Sequence, residues 1–460
     1  MKRATAGPLE RSAPPPAGEL RPFRFPHFQR IRATRELEIY LAPADPGTAG
    51  GALLHVELLA LHGADAQSSE RGGLAALTGA LLDEGTATRS ALEIAAAAEG
   101  LGGYLGSGAD WETLHVSGTF LAEHWREGLD LVAEIATTPA FAEEEIERLR
   151  RRTLAEIRNR RAQPQTVARL ALARRLYPGT PYGGSMIGDE ASVTALRRDE
   201  ISAFYEAARG GRWVAVAAGG MDPAQLAEAI AGAVPIERGT RTELPDPIRP
   251  EPREARQVVL VDRPGAAQTE LYIGHPGLPR THPDFTAAGV LNTLLGGKFT
   301  SRINLNLRER HAYTYGAHSR FAARRGPGPF TVSAAVANPS AAAAAHEVLL
   351  ELERVRREPV DEEELADAAS YLLGVFPYTV QTLDGVASRL TDLAVFGLPD
   401  DYWQTLPGRV RGLSRGDIQR VAAEHLDPQR ALVVAVGPAD EIAPAFEDLG
   451  EVEVVPLTSF

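Results

Sequence analysis

Residues Gly72 to Thr86 read GGLAALTGALLDEGT, and they follow an apolar alternating run, ALLHVELLALHG, over Ala52 to Gly63. The first stretch is helix-like, the second has the pattern of a strand, and a polar turn separates them. The same order returns in the second half of the chain. TELYIGHPGL (Thr269 to Leu278) is followed by FTAAGVLNTLLGGKFTSR (Phe285 to Arg302), which sets Leu291 opposite Leu77 at an offset of 214 residues. The two stretches also close alike. WVAVAAGGMDPAQL (Trp213 to Leu226) matches LVVAVGPADEI (Leu432 to Ile442) at an offset near 218, each a buried-type strand ending in glycine before a turn and a helix. Similar offsets at two distant points indicate a duplicated domain of about 215 residues.

Working outward, IERGTRTELPDPIRPEPREARQ (residues 236–257) mixes prolines and charges without an apolar period and reads as a linker. The Pro/Ala-rich opening, residues 1–22, reads as a mobile arm, with folded structure expected from near Phe28. These marks divide the chain into domains 23–235 and 258–460. Between the strand signals lie helical patterns such as LAEHWREGLDLVAEIATTP, FAEEEIERLRRRTLAEIRNRRAQP and DEEELADAASYLLGVF, with acids early and bases late in the longest. Strands at both ends with helices between predict α+β domains, each a mostly antiparallel sheet packed on a helical layer.

At 460 residues the chain exceeds one ordinary core, and 44% hydrophobic with 24% charged residues is the composition of a globular protein. The net charge of −13 argues against nucleic acid or anionic membrane as a main partner. There is no cysteine, which excludes disulfides and thiolate zinc sites. The N-terminus carries no apolar run of signal-peptide length, and no stretch of about twenty apolar residues follows, so a cytoplasmic protein is expected. No two of the eleven histidines are four apart, and neither a G-x-S-x-G elbow nor a Walker-type phosphate loop occurs.

The helix at Gly73 to Leu82 resembles the Gly-Leu-Ala-His-x-x-Glu-His-x-Leu-x-x-Gly-Thr helix of the pitrilysin/insulinase peptidases, which carries an inverted H-x-x-E-H zinc motif. The frame GLA and LLDEGT is present, but Ala76 and Ala80 stand at the two histidine positions and Gly79 at the glutamate. The third zinc ligand of the family falls on Glu156, which alone is more naturally a surface or salt-bridged carboxylate. The resemblance continues over GGKFTSRINLNLRERHAYTYGAHSRF (Gly296 to Phe321), similar to the family's second-domain signature. In members that pair across two subunits, an Arg and a Tyr seven residues later hold substrate, and they face the partner's zinc site. Here these are Arg308 and Tyr315.

The resemblance therefore implies half of a clam-shell and a division of labour. This chain would be the non-catalytic, substrate-binding subunit, with no metal or cofactor of its own, and a homologous H-x-x-E-H-bearing subunit would supply zinc. A guanidinium can fork onto a peptide carbonyl or carboxylate, and a phenol can donate to a developing oxyanion. The plain alternative is that Arg308 pairs with Glu309 or another acid and Tyr315 packs. Asn304, Asn306 and Tyr313 are expected to support the turn or cleft edge, and Ser301 with Arg302 to cap the helix displaying Arg308. The stacked apolar positions of Leu372 to Trp403 are expected in the core. Two rival functions remain open from sequence: a metal-free assembly core of a larger complex, and an independent peptide-binding homodimer.

Overall fold

The computed structural model describes residues 23–45, 47–234 and 242–460. The expected arm, residues 1–22, and the first part of the linker, 236–241, lie outside the described residues. Among those residues the strands form two six-stranded sheets. The first contains β1 (Gln29–Arg32), β2 (Leu37–Pro43), β3 (Leu53–Ala60), β4 (Tyr104–Ala109), β5 (Leu114–Leu121) and β6 (Trp213–Gly219), in the order β1-β2-β6-β3-β5-β4. The second contains β7 (Gln257–Asp262), β8 (Gln268–Pro276), β9 (Ala317–Phe321), β10 (Pro329–Ala337), β11 (Leu432–Gly437) and β12 (Glu451–Pro456), in the order β12-β7-β11-β8-β10-β9.

Strands β2 to β6 and β7 to β11 occupy matching places, so the duplication read from the sequence is a duplication of topology. In both sheets the last large strand lies parallel to the first and antiparallel to the second. Pairing is otherwise antiparallel except at the outer edge of the second sheet, where β12 runs parallel to β7; β1 pairs antiparallel with β2 at the matching edge of the first. Strands β6 and β11 are buried at every residue, which accounts for their unbroken apolar sequences in place of alternation.

Alternation on the other strands assigns the faces. Leu54, Val56, Leu58 and Ala60 of β3 join Ala215 and Ala217 of β6 in a core with Leu77 and Leu81 of the Leu74–Leu81 helix and Val132 and Ile135 of the Trp125–Thr137 helix. On the opposite face, Leu59, Val214, Val216 and Ala218 join a core containing Val386, Leu390 and Leu393 of the Leu383–Phe396 helix, which comes from the second half. The reciprocal contact also exists. The Pro164–Leu176 helix of the first half lays Val167, Ala168, Ala171, Leu172 and Leu176 on Val259 and Val261 of β7 and Leu432, Val434 and Val436 of β11. Each half thus lends one helix to the other's sheet, and the two helices begin at nearly the repeat offset, 164 and 383.

Polar contacts follow the same crossing. Thr391 Oγ1 donates to Glu57 Oε2 at 2.8 Å, and Arg325 pairs with the buried Asp65. Residues 242–256 form neither helix nor strand but are anchored: Thr242 N donates to Gly210 O at 3.3 Å, and Arg253 Nη2 to Gln257 Oε1 at 2.6 Å. Folded structure begins earlier than Phe28, because Phe25 is buried and Phe23 sits edge-on to Phe376 at 5.5 Å. Within Leu372 to Trp403, Ala387, Leu390, Leu393 and Trp403 are core as expected, while Tyr378 is exposed. No described helix is long and apolar enough to cross a membrane.

Candidate functional site

The Leu74–Leu81 helix starts from Gly73 in the left-handed conformation (φ 89°), and the buried side chain of Gln67 accepts the free amide of Ala75 at 3.0 Å. Ala76 and Ala80, one turn apart, show methyl groups on a half-buried face. Gly79 lies against β4. A β-carbon placed there would stand 2.3 Å from the carbonyl carbon and 2.5 Å from the carbonyl oxygen of Gly108, so no side chain fits without moving backbone. Ser107 Oγ tightens the approach, 2.7 Å from Gly79 O and 2.9 Å from Asp83 Oδ1, and burial raises the pKa of Asp83 against the effect of that hydrogen bond. Glu156, on the Glu143–Arg161 helix, pairs with Arg160 at 2.5 Å and is half-exposed. The residues at the four zinc-motif positions therefore do not fit a zinc ion: two are methyls, one is closed by backbone, and one is a surface ion pair.

The second half repeats the close approach with other chemistry. The Phe285–Asn292 helix continues as a π-turn over Thr293–Gly297, and a β-carbon on Gly296 would meet Ser319 of β9 at 2.5 Å. After the turn, Arg302 forms two 2.6 Å bonds to Glu364, and Asn304 accepts from Ala317 N at 3.0 Å while donating to Phe299 O at 2.5 Å. Asn306 donates to Glu347 at 3.0 Å and Glu351 at 2.8 Å, and Tyr313 stacks on His311 at 5.0 Å. These contacts fit the supporting role expected of Asn304, Asn306 and Tyr313. The expected cap is different. Ser301 occupies the N-cap of Arg302–Asn304 without a side-chain bond, its Oγ has no partner, and Arg302 holds Glu364 instead.

Arg308 lies in the π-turn Leu305–Arg310, which reverses at Ala312, a non-glycine residue at φ 54°. Its Cζ sits 4.3 Å over the ring of Phe299, itself 64% exposed. The pairing with Glu309 is long at 3.7 Å, and Nη1 is buried with no hydrogen-bond partner. Tyr315 does not pack: it is 92% exposed, in the bend two residues before β9 rather than on the strand. The two halves of the sequence reading thus sit at different sheet edges, the degenerate helix at β4 and the Arg/Tyr segment at β9.

Two clusters have no local sequence signal, because their members are distant in the chain. At the junction of the halves, Arg325 pairs with Asp65, Tyr182 Oη donates to Glu112 Oε1 at 3.2 Å, and burial pushes the Glu112 carboxyl up to about 7 although nearby Arg324 opposes it. His282, Asp284 and His425 bring one possible ligand atom each within 4.8 Å. Arg420 holds both oxygens of Asp284 at 2.7 and 3.0 Å, and His282 Nδ1 accepts the Asp284 amide at 3.1 Å, so this group is already satisfied as an ion-pair network.

A duplicated α+β chain whose first-domain helix keeps the zinc-peptidase frame, with Ala76, Gly79 and Ala80 at the motif positions, has the architecture of a peptidase class. Two family profiles match adjoining stretches of the chain: "Insulinase (Peptidase family M16)" over residues 55–190 and "Peptidase M16 inactive domain" over residues 195–372. The chain belongs to the insulinase family. Among relatives, an uncharacterized zinc protease of Streptomyces coelicolor is 26% identical, covering 78% of this chain and 79% of its own length. A protein named a non-peptidase homolog, from Helicobacter pylori, is 24% identical over 77% and 82%. In fold, a crystal structure titled peptidase M16 inactive domain from Pseudomonas fluorescens superposes with TM-score 0.82 at 22% identity, covering 90% of this chain and 98% of that one. A chain of complex III2 from Candida albicans does so with TM-score 0.72 at 15% identity, covering 90% and 98%.

Proposed function

We propose that this chain is the non-catalytic, substrate-binding subunit of a heteromeric zinc metallopeptidase that acts on peptides. A homologous H-x-x-E-H-bearing subunit supplies the zinc and the activated water, and this chain closes the cavity over that site as half of a clam-shell. The observation that carries the proposal is the state of Arg308 and Tyr315. Arg308 Nη1 is buried without a hydrogen-bond partner and Tyr315 is nearly fully exposed, so both have bonding capacity to offer a ligand. Arg308 would hold a peptide carbonyl or carboxylate, and Tyr315 would donate to the oxyanion formed beside the partner's metal. The name of the Helicobacter pylori relative is in keeping with a chain that does not cleave peptide by itself. The same proposal places the assembly in the cytoplasm. The likeness to a complex III2 chain bears on fold alone and gives the assembly-core alternative no site-level support.

The test is hydrolysis of a quenched-fluorescent peptide library with zinc present, first with this chain alone and then mixed with its H-x-x-E-H-bearing relative. Silence alone and turnover in the mixture is the expected result. Chelator-sensitive turnover by this chain alone, or silence in a mixture shown to associate, overturns the proposal.

A further inference from the structure

The exchanged Pro164–Leu176 helix covers β8 and β11, reaches the edge of β7, and leaves the β10–β9 side of the same sheet face open. Between that helix and the open face is a cavity of about 350 Å³ at the junction of the two halves. Its wall includes Arg169 from the helix, His318 and Arg320 from β9, Arg324 after it, and Tyr272 from β8; among the described residues no aspartate or glutamate lines it. Arg324 stacks 4.8 Å over Trp111 and 5.5 Å over Tyr182, and its charge is answered in part by buried Glu112. Arg169 and Arg320 are exposed, and neither has an ion-pair or hydrogen-bond partner among the described residues. Along β8 the next acid on this face is Glu270, two residues before Tyr272 and outside the wall, and Glu112 lies behind the wall, bonded to Tyr182. In a chain of net charge −13, a concave surface with unpaired guanidiniums and no carboxylate calls for an anion.

Which anion follows from where the cavity lies. Strand β9 begins two residues after Tyr315, and an extended strand advances about 3.3 Å per residue, so Arg320 stands roughly 17 Å along from Tyr315. That is about five residues of an extended peptide. We propose that this cavity is a specificity subsite for an acidic side chain of the bound peptide, Glu or Asp, with Arg169 and Arg320 as its carboxylate partners; the inference rests on the peptide-binding reading of Arg308 and Tyr315. The guanidinium fork suits a planar carboxylate, and Tyr272, Thr331 and Ser333 provide hydroxyls at the same wall.

The test uses the full chain and fluorescence anisotropy with paired labelled peptides that differ only by Glu in place of Gln at scanned positions. The expected result is about tenfold tighter binding of a Glu peptide, an advantage that shrinks with salt and disappears in the Arg169→Gln/Arg320→Gln variant while the Gln peptide is unaffected. Arg308→Ala weakens both peptides alike. Equal binding of the pair by the wild-type chain, or an advantage that survives the double substitution, overturns the subsite and leaves the peptide-binding reading standing. If neither peptide binds, that reading fails. Pyrophosphate is then titrated: saturable binding lost in the double variant reassigns the cavity to a free small anion, and no binding removes the anion site, both overturning the acidic-side-chain assignment.

Discussion

Gly79 and Gly108 meet backbone to backbone, so that a single methyl on Gly79 would stand 2.3 Å from the Gly108 carbonyl carbon. The position at which the family carries its general base is therefore closed as well as empty. Restoring the motif with Ala76→His, Gly79→Glu and Ala80→His is expected to give no stoichiometric zinc binding. Gly79→Ala alone should cost about 1–3 kcal/mol or more, read as a lowered midpoint in denaturant. A folded triple variant that takes up one equivalent of zinc would contradict this.

Arg308→Ala and Tyr315→Phe should lower peptide turnover of the assembled pair. Loss of a charge-assisted hydrogen bond is worth about 1.5–3 kcal/mol, roughly tenfold to over a hundredfold, with the smaller effect for the neutral phenol. Tyr315 touches little, so Tyr315→Phe should shift stability by less than about 0.5 kcal/mol. Kinetics and thermal melts on the same preparations separate the two effects, and unchanged turnover would remove both residues from the substrate site.

Burial holds His62 and His275 neutral, each lowered to about 4, and His275 is locked between Pro276 O at 2.8 Å and the Asp427 amide at 3.2 Å. Their folded values lie below the unfolded 6.5, so their contribution is complete above about pH 6.5 and is lost as pH falls toward 4. Glu112 runs the other way. Its folded value is raised from 4.5 to about 7, so its contribution is complete below about 4.5 and is lost as pH rises through 7. Urea unfolding between pH 4 and 8 should show both limbs, with His275→Asn flattening the acid limb and Glu112→Gln the neutral one.

Leu172 and Leu390 are fully buried on the exchanged helices. Leu172→Ala and Leu390→Ala should each cost about 2–5 kcal/mol. Because each side chain belongs to one half by sequence and packs on the other, calorimetry should show one transition moving down as a whole. Two separating transitions would mean that the halves fold independently.

Much of this was legible in the sequence. The repeat was visible because strands such as β6 and β11 are apolar throughout and end in glycine at matching places, and the loss of metal ligands because Ala76, Gly79 and Ala80 stand inside an otherwise intact frame. The exchange of helices was not, since periodicity reports that the Pro164–Leu176 helix has an apolar face but not which sheet receives it. Nor was the obstruction at Gly79, which depends on how closely β4 approaches. The arginine-lined cavity draws on Trp111, Arg169 and Arg320, brought together only by tertiary folding.

The lending of one helix by each half to the other has the geometry of a domain-swapped dimer written into a single chain. A polypeptide stopped before β7 would carry the Val167, Leu172 and Leu176 stripe with nothing to cover, and its own sheet would lack the lid supplied by Leu383–Phe396. A second copy of such a fragment offers the repeat-equivalent helix, Pro164–Leu176, to the uncovered sheet. Expressed alone, either half should seek a twin, whereas the two halves made as separate chains should find each other and rebuild the fold without the connecting peptide.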